Sequence, residues 1–300
     1  MGHIQSQNNK MKKQQHNGFN RPLEIKCVQI NLQHSKKATY NLTQLLQEKN
    51  IDVAFLQEPY TISNKVAGFP KSLKIFIHGN GRKRTAIIIN NDNIDGIAIN
   101  QISDEDCIVM EFTHRELHFY GASIYCDCDD DIGKDIEKAE KIIKLANGKG
   151  LLLALDTNAR SKTWYDVTMN QRGKTFEEFL LTNNLYLANE NTGIPTFEST
   201  RGRSWIDLTL SNGILAKKIR NWSCGLEESC SDHNLIRFNI GSSNLFNEVP
   251  RYFRSRYLIK TEDFEKFGDK LTSNLKSTFG VEGYDELSML DEILSNTAKN

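Results

Sequence analysis

The sequence lacks an excess of charge of either sign, a long apolar run and a dense set of cysteines. Lys and Arg number 38, as do Asp and Glu, so the formal net charge is zero. This balance excludes a histone-like polycation and an acidic solvating tail, but it is compatible with a local basic surface for nucleic acid. Six cysteines in 300 residues are too sparse for a disulfide scaffold, which favours free thiols in an intracellular, reducing compartment.

Apolar runs such as Leu151–Leu155 are far shorter than the roughly 18 residues that a membrane-spanning helix needs. The N-terminal segment MGHIQSQNNKMKKQQHNG is polar and has no apolar stretch typical of a signal peptide. We therefore expect no membrane partner, and we identify no targeting signal. Hydrophobic residues still make up 38% of the sequence, which is enough to bury a sizeable core.

The chain divides into three segments by composition. Residues 1–23 are rich in Gln, Asn and Lys without hydrophobic periodicity, and we predict that they are disordered. Residues 24–242 alternate strand and helix patterns, which predicts one layered α/β domain. Residues 243–300 join a basic, aromatic stretch to amphipathic helix patterns. We interpret this last segment as a linker region that leads towards a domain outside these residues.

Local signals set the expected boundaries within the α/β domain. Ser35 is a residue of the N-cap type and precedes apolar positions at helical spacing, from Ala38 to Leu46. Pro59 cannot continue a central strand, so it marks the end of the strand VAFLQ. Asn170 is placed to cap a further helix.

Several predicted strands end in a carboxylate or a carboxamide. Asn31 follows the first strand, Glu58 follows VAFLQ, and Asp156 with Asn158 follows LLLAL. In open α/β sheets the functional crevice lies outside the carboxyl ends of the strands, so we expect these side chains to converge. The strand WIDLTL and the segment before the strand LIRFNI add Asp207, Asp232 and His233.

The chemistry of this set indicates a hard metal ion. A buried carboxylate is costly unless it is paired or bound to a cation. Taken singly, each acid is also explained as a cap or a turn residue, as in an Asx turn at Asp156, and only their joint occurrence is specific. Oxygen donors with one imidazole favour Mg²⁺ or Mn²⁺ over zinc, and they suit phosphoryl chemistry. Zinc at Cys126 and Cys128 is disfavoured because no second Cys or His pair stands at finger spacing.

A series of motifs resembles the endonuclease domain of non-LTR retrotransposons, most of all that of the insect-type elements. In order they are QINLQHSK (29–36), LQEPY (56–60), LDTNARSKTW (155–164), NQRGKTFEEFL (170–180), PTF (195–197), WIDLTL (205–210) and SDHNLIRF (231–238). The resemblance covers roughly residues 24 to 240. It implies the endonuclease/exonuclease/phosphatase superfamily and its DNase I-like fold, a four-layered α/β sandwich of two β-sheets flanked by helices.

The resemblance also assigns a metal site by position. It implies that Glu58 is the principal metal ligand, with the amide of Asn31 beside it and Asp232 as a further carboxylate near the metal. The implied cofactor is Mg²⁺, with Mn²⁺ as an alternative.

Around the scissile phosphate the resemblance implies five further roles. Asp156 activates water or protonates the leaving oxygen, and Asn158 orients the nucleophile and the phosphate. His233, held by Asp207, acts at this phosphate, and Tyr125 contacts it.

A basic segment, Arg82-Lys83-Arg84, stands outside these motifs. It is interpreted either as a contact to the DNA backbone or as a solvated turn, and both interpretations stay open.

The implied function is a Mg²⁺-dependent DNA endonuclease that nicks one strand of a double-stranded target and leaves a 3′-hydroxyl and a 5′-phosphate. In the family this hydroxyl primes reverse transcription of the element's RNA, by a reverse transcriptase that these residues do not contain. Such an enzyme acts in the nucleus. Two alternatives stay open: another phosphodiesterase or phosphatase of the superfamily, such as an abasic-site nuclease, and a catalytically decayed DNA-binding module. The presence of every polar residue of the set argues against decay.

Overall fold

The computed structural model describes residues 24–241, which form two six-stranded β-sheets packed face to face. The segment 1–23, predicted to be disordered, and the linker predicted over 243–300 lie outside the described residues. Within the described part of the chain, no helix is long and apolar enough to cross a membrane.

Helices and strands alternate along the described residues. The helices are α1 (Lys36–Glu48), α2 (Ile132–Ala146), α3 (Gln171–Thr182) and the short α4 (Gly213–Ala216). The first eight strands are β1 (Glu24–Asn31), β2 (Val53–Gln57), β3 (Thr61–Ile62), β4 (Lys65–Val66), β5 (Lys74–Phe76), β6 (Thr85–Ile89), β7 (Asp95–Ala98) and β8 (Cys107–His114). The next eight are β9 (Leu117–Tyr125), β10 (Gly150–Asp156), β11 (Tyr186–Leu187), β12 (Phe197–Ser199), β13 (Gly202–Ser204), β14 (Asp207–Ser211), β15 (Ile219–Cys224) and β16 (Ile236–Gly241).

The two sheets have related topologies. The strand order is β15-β16-β1-β2-β6-β5 in the first sheet and β11-β14-β10-β9-β8-β7 in the second. Each sheet has one central parallel pair, β1 with β2 and β9 with β10, and its other pairs are antiparallel. In register, Asn31 lies opposite Gln57, and Asp156 lies opposite both Tyr125 and Asp207. Parallel pairing thus brings the ends of neighbouring strands to one edge of each sheet.

Apolar side chains fill three layers. Between the sheets, phenylalanines from both sheets pack together, and the rings of Phe112 and Phe119 stack with centroids 5.0 Å apart. On the outer face of the first sheet, α1 packs against β1, β2 and β6. On the outer face of the second sheet, α2 and α3 pack around Trp164 and Phe176. Helix, sheet, sheet and helix follow in order, which confirms the predicted four-layered α/β sandwich.

Buried polar side chains tie the two sheets together within the apolar layer. The Gln29 amide donates to the carbonyls of Leu155 and Leu208 at 3.1 and 3.3 Å. Its oxygen accepts from the hydroxyl of Thr209 at 2.9 Å. Gln57 makes similar bonds from β2 to the second sheet. Because these glutamines stand close to the polar ends of β1 and β2, they align the strand ends of the two sheets.

The local signals in the sequence mark real boundaries. Ser35 accepts from the backbone N–H of Ala38 at 3.1 Å and caps α1. Asn170 accepts from the N–H of Gly173 at 2.7 Å and caps α3. The strand VAFLQ ends before Pro59, as predicted. Both predicted helix starts are therefore confirmed.

Strand β15 is not predicted from the sequence. Asn221 within it has a φ of 55°, and the register against β16 shifts between Arg220 and Ser223. Such a β-bulge interrupts the two-residue alternation on which strand prediction depends. The short hairpins β3–β4 and β12–β13 are likewise additions to the predicted elements.

Replacing Gln29 by leucine should destabilise the domain. The change removes the partner of two buried carbonyls and of the Thr209 hydroxyl, and an unsatisfied buried polar group costs roughly 1–3 kcal/mol. We expect the free energy of unfolding in urea to fall by about 2 kcal/mol or more. The matched control is Gln44→Leu, on the exposed face of α1, which should change this free energy by less than about 0.5 kcal/mol. Equal stability of the two variants would show that Gln29 does not tie the sheets together.

Candidate active site

The polar ends of several strands form one cluster at an edge of the sandwich. Asn31 Nδ2 donates to Glu58 Oε2 at 3.1 Å and to Asp156 Oδ2 at 2.8 Å. Asn31 ends β1, Glu58 follows β2, and Asp156 ends β10, so one amide joins residues from both sheets. Asn31 and Asp156 are buried, whereas Glu58 is partly exposed. The structure thus brings these three predicted residues together.

The surroundings of Glu58 hold its carboxylate in place. Its φ is 43°, in the left-handed region, and its N–H donates to the carbonyl of Arg84 at 2.8 Å. His34 Nε2 lies 3.2 Å from Glu58 Oε1. Burial by itself raises the pKa of Glu58, but the contacts with His34 and Asn31 hold this pKa below its ordinary value. Glu58 is therefore ionised at neutral pH, in the form that binds cations.

His233 and Asp207 form a buried ion pair beside Asp156. His233 Nδ1 lies 2.9 Å from Asp207 Oδ2, and His233 Nε2 lies 4.0 Å from Asp156 Oδ2. Burial by itself lowers the pKa of His233, but the charge and hydrogen bond of Asp207, with the charges of Asp156 and Glu58, raise it to about 9. The imidazole is therefore a cation at neutral pH.

Asp156 differs in character from Glu58. Burial raises the pKa of Asp156 well above its ordinary value, and the charge of Asp207 raises it further, against the lowering effect of His233. A carboxyl group with a raised pKa exchanges protons near neutral pH, as a general acid or base must. Asn31 thus bridges two acids of different character: Glu58 is ionised, whereas Asp156 takes up a proton readily.

Tyr125 and Asn158 border the same cluster. Tyr125 ends β9 opposite Asp156, and burial, with the charges of Glu58 and Asp156, raises the pKa of its hydroxyl. This hydroxyl therefore keeps its proton and is a hydrogen-bond donor. Asn158 has a φ of 48°, and its Nδ2 donates to the carbonyl of Cys126 at 3.1 Å. The two residues stand at the ends of the parallel strands β9 and β10.

Asp232 lies at the margin of the cluster. It is exposed, and its Oδ2 accepts from Gln33 Nε2 at 3.2 Å, while its backbone N–H donates to Gln33 Oε1 at 2.8 Å. It borders a cleft of about 400 Å³, lined by Gln33, Phe197, Ser199, Thr200, Arg201 and Asp232. Asp232 is thus open to solvent beside the cluster rather than inside it.

The three basic residues of segment 82–84 have different environments. Lys83 is only 5% exposed, and its Nζ donates to two backbone carbonyls of the preceding turn at 2.6 and 2.8 Å. Arg84 is ion-paired with Asp106 and Asp127. Arg82 is exposed. The contacts of Lys83 and Arg84 within the protein favour a structural role over DNA contact for these two residues. Arg82 is exposed, so its side chain is accessible to a DNA backbone.

Residues outside the predicted set also shape the cluster. His34 contacts Glu58, and Thr196 Oγ1 accepts from the backbone N–H of Asp207 at 3.0 Å. Arg172 donates to backbone carbonyls beside the cluster. These three residues lie within the motifs QINLQHSK, PTF and NQRGKTFEEFL. The motifs could therefore have indicated that the three residues belong to the site, but not which groups they contact.

The donor chemistry fits a hard cation at Glu58. Ligand atoms of Asp156, Asp207 and His233 also lie within 4.8 Å of one another. Both carboxylate oxygens of Asp207, however, contact the imidazole at 2.9 and 3.1 Å, and a protonated imidazole has no lone pair for a metal. The partly exposed Glu58 carboxylate lacks this restriction, and carboxylate oxygens suit Mg²⁺.

The chain is similar in sequence to proteins of retrotransposable elements. A family model described as endonuclease-reverse transcriptase matches residues 119–237. The retrovirus-related Pol polyprotein from type-1 retrotransposable element R1 of Bradysia coprophila is 24% identical over 244 residues, which are 77% of this chain and 24% of that protein. The chain spans about a quarter of the length of the curated relatives it matches.

Solved structures share the fold. The endonuclease domain of TRAS1, a telomere-specific non-LTR retrotransposon, is 26% identical with a TM-score of 0.66, covering 72% of this chain and 98% of that domain. The AP endonuclease LMAP from Leishmania major is 12% identical with a TM-score of 0.58, covering 74% of this chain and 89% of that one. The second likeness concerns the fold alone.

Replacing Asp207 by asparagine should lower the pKa of His233. Removing this charge takes away the largest of the contributions that raise the pKa, while burial still disfavours the imidazolium and the charges of Asp156 and Glu58 remain. The titration should therefore move from about pH 9 towards the ordinary value of about 6.5. Because the folded protein binds this proton more tightly than the unfolded chain does, the wild type should also lose stability between about pH 6.5 and 9, and the variant should lose less over the same range. NMR of the histidine ring carbons measures the titration of His233. An unchanged His233 titration would contradict the assigned ion pair.

Proposed function

We propose that this chain, which contains a domain of the endonuclease/exonuclease/phosphatase superfamily, is a divalent-metal-dependent endonuclease that nicks one strand of double-stranded DNA. The observation that carries the proposal is the bridge from Asn31 to Glu58 and Asp156, beside the pair of His233 and Asp207. An ionised carboxylate, a proton-exchanging carboxyl group and a cationic imidazole lie next to one another. This combination suits the hydrolysis of a phosphodiester bond.

Three residues would hold the metal. Glu58 would be the principal ligand, with the Asn31 side chain beside it and Asp232 as a further carboxylate at the margin of the cluster, and such oxygen donors suit Mg²⁺ or Mn²⁺. The bound cation supplies positive charge that offsets the charge of the phosphate and leaving oxygens.

The chain's own side chains do the rest of the chemistry. His233 stabilises the extra negative charge of the transition state, and Asp207 keeps its imidazole protonated and oriented. Asp156 removes a proton from the attacking water or returns one to the leaving oxygen, and its raised pKa suits both steps. The Tyr125 hydroxyl and the Asn158 amide donate hydrogen bonds that orient the phosphate.

The products connect the reaction to retrotransposition. In-line attack by water leaves a 3′-hydroxyl and a 5′-phosphate, and the 3′-hydroxyl primes reverse transcription of the RNA of a parent element. This step needs a reverse transcriptase as partner domain. Similarity to a Pol polyprotein of a type-1 retrotransposable element and to the TRAS1 endonuclease domain supports this extension. A chromosomal target would place the reaction in the nucleus.

Supercoiled plasmid, incubated with and without Mg²⁺ or Mn²⁺, tests the proposal. Relaxation to the open circle only with metal supports a nicking endonuclease. Metal-dependent cleavage of an abasic-site duplex, or phosphate release from nucleotides or lipids, without plasmid nicking would instead favour another activity of the superfamily. Plasmid binding without any hydrolysis would favour a decayed DNA-binding module.

Glu58→Ala should abolish metal-dependent nicking and leave the fold intact. The side chain is proposed to hold the cation, and it lies at a strand end rather than in the apolar core. Gel assays of plasmid relaxation over a Mg²⁺ series measure the effect, and circular dichroism checks the fold.

The matched control for this prediction is Glu116→Ala. Glu116 is exposed in the turn between β8 and β9, at the end of β9 away from Tyr125, so this variant should nick at the wild-type rate. Wild-type nicking by Glu58→Ala would remove Glu58 from the metal site.

His233→Ala should lower the nicking rate by roughly 10²–10³-fold with little change in DNA affinity, since the imidazolium acts on transition-state charge. Asp207→Asn acts through the same imidazole, so the double variant should be much less impaired than the product of the single effects. Single-turnover rates and equilibrium DNA binding measure both quantities. His118→Ala, at an exposed position near the start of β9, is the control.

Two outcomes would contradict this assignment. A fully multiplicative loss in the double variant would mean that His233 and Asp207 act independently. Weakened DNA binding by His233→Ala would make His233 a ground-state contact.

A further inference from the structure

The segment NQRG (170–173), at the start of α3, has no role in the reaction proposed above, yet it packs against the loop that carries Asn158. Asn170 Oδ1 accepts from the backbone N–H of Arg160 at 3.0 Å as well as capping the helix at Gly173. The Arg160 carbonyl in turn accepts from the N–H of Asn170 at 3.1 Å. The first turn of α3 and the loop 157–160 are thus bonded to each other.

Gly173 allows this close approach. A Cβ at this position would lie 1.9 Å from the carbonyl oxygen of Arg160, which is far inside van der Waals contact. Any side chain here would push the helix and the loop apart, because the obstructing atom is backbone rather than a flexible side chain. The short distance between α3 and the loop is therefore built into the sequence.

Arg172 extends from α3 to carbonyls at the ends of two strands. Its Nη2 lies 3.1 Å from the carbonyl oxygen of Thr157, after β10, and 3.5 Å from that of Cys126, after β9. Its Nη1 donates to the carbonyl of Asp130 at 2.6 Å. A guanidinium presents its N–H groups in a rigid planar fork, so one side chain holds several carbonyls in a single arrangement.

Asn158 uses one of the same acceptors. Its Nδ2 donates to the Cys126 carbonyl at 3.1 Å, and its backbone follows directly on Thr157. Arg172 therefore holds the residue before Asn158 and also the carbonyl that orients the Asn158 amide.

We propose that Arg172 is a positioning residue that fixes the Asn158 amide by holding the Thr157 and Cys126 carbonyls; this inference rests on the endonuclease function proposed above. Arg172 does not act on DNA directly. Both of its Nη groups face backbone carbonyls, and its Nε is buried without a hydrogen-bond partner among residues 24–241. The guanidinium is therefore turned towards the protein, and its effect on the reaction passes through Asn158.

The test compares Arg172→Gln and Arg172→Lys in the full 300-residue chain. We expect Arg172→Gln to lower kcat for metal-dependent nicking by about 10- to 100-fold, because a small misplacement of a group costs up to about 10²-fold. KM should stay within about two-fold, since no contact to DNA is lost. Arg172→Lys should recover part of kcat, because an ammonium keeps the charge but not the fork.

Arg220→Gln is the matched control. Arg220 is also partly buried and donates to a backbone carbonyl, that of Ile219, at 2.8 Å. It lies opposite Asn239, at the end of β16 away from His233. Arg220→Gln should therefore nick at the wild-type rate.

A double-mutant cycle with Asn158→Ala shows whether Arg172 acts through Asn158. In the Asn158→Ala background, Arg172→Gln should cost less than about three-fold in kcat, because the amide to be positioned is gone. A fully multiplicative loss overturns the proposal, and so does an unchanged kcat in a folded Arg172 variant. A rise in KM with a steep salt dependence would make Arg172 a phosphate contact and also overturn it.

Amide hydrogen exchange gives a readout that does not depend on cleavage. In Arg172→Gln, exchange should rise in peptides covering 126–130 and 157–160 and stay unchanged over 236–241. Unchanged exchange in the first two overturns the positioning role. If the wild-type chain nicks DNA without metal, the proposed metal-dependent function is wrong. Amide exchange in Arg172→Gln then still tests, independently of cleavage, whether Arg172 positions the two loops. If Arg172→Gln shows no cooperative thermal transition and is therefore unfolded, Arg172→Lys replaces it in the kinetic, double-mutant and exchange measurements.

Discussion

Two acids from different sheets share one small volume because a single amide, that of Asn31, donates to both. A buried carboxylate without a partner is costly, and two of them side by side repel each other. The Asn31 amide can contact both acids only if the ends of β1, β2 and β10 are aligned at the same edge of the sandwich. Gln29 and Gln57 fix this alignment by bonding across the apolar layer. Burial of apolar side chains is the dominant favourable term in folding, and these few polar bonds select the alignment that the cluster needs.

The cluster then separates the acids by environment. Glu58 is partly exposed and contacted by His34, so it stays ionised, whereas Asp156 is buried and has a raised pKa. His233 adds a positive charge held by Asp207. The shared fold alone does not fix a substrate, as the likeness to an AP endonuclease at 12% identity illustrates. Phe197, which lines the cleft beside the cluster, packs edge-on against His233 with ring centroids 4.9 Å apart.

Much of the fold and of the central cluster could be predicted from the sequence. A polar residue at the end of a buried strand has few possible roles, so its presence is informative. A strand such as LLLAL is covered on both faces, so a carboxylate directly after it must be paired, bonded or bound to a cation. Lys83 could not be placed in this way, since its burial depends on the carbonyls of a turn that the pattern does not describe. Arg172 was equally hidden, because it bonds a carbonyl 46 residues away. Long-range contacts of backbone atoms leave no periodic signal.

The pairing of β1 with β16 makes neighbours of the first and last strands among residues 24–241. The N-terminus of a chain leaves the ribosome first. Strand β1 is therefore made before every other described strand, and its partner β16 is made after all of them. His233 stands just before β16 and emerges with it. A nascent chain therefore carries Glu58, Asp156 and Asp207 before it carries His233. The site can therefore be completed only after the residues just before β16 have been made, and a chain interrupted earlier lacks the imidazole that pairs with Asp207.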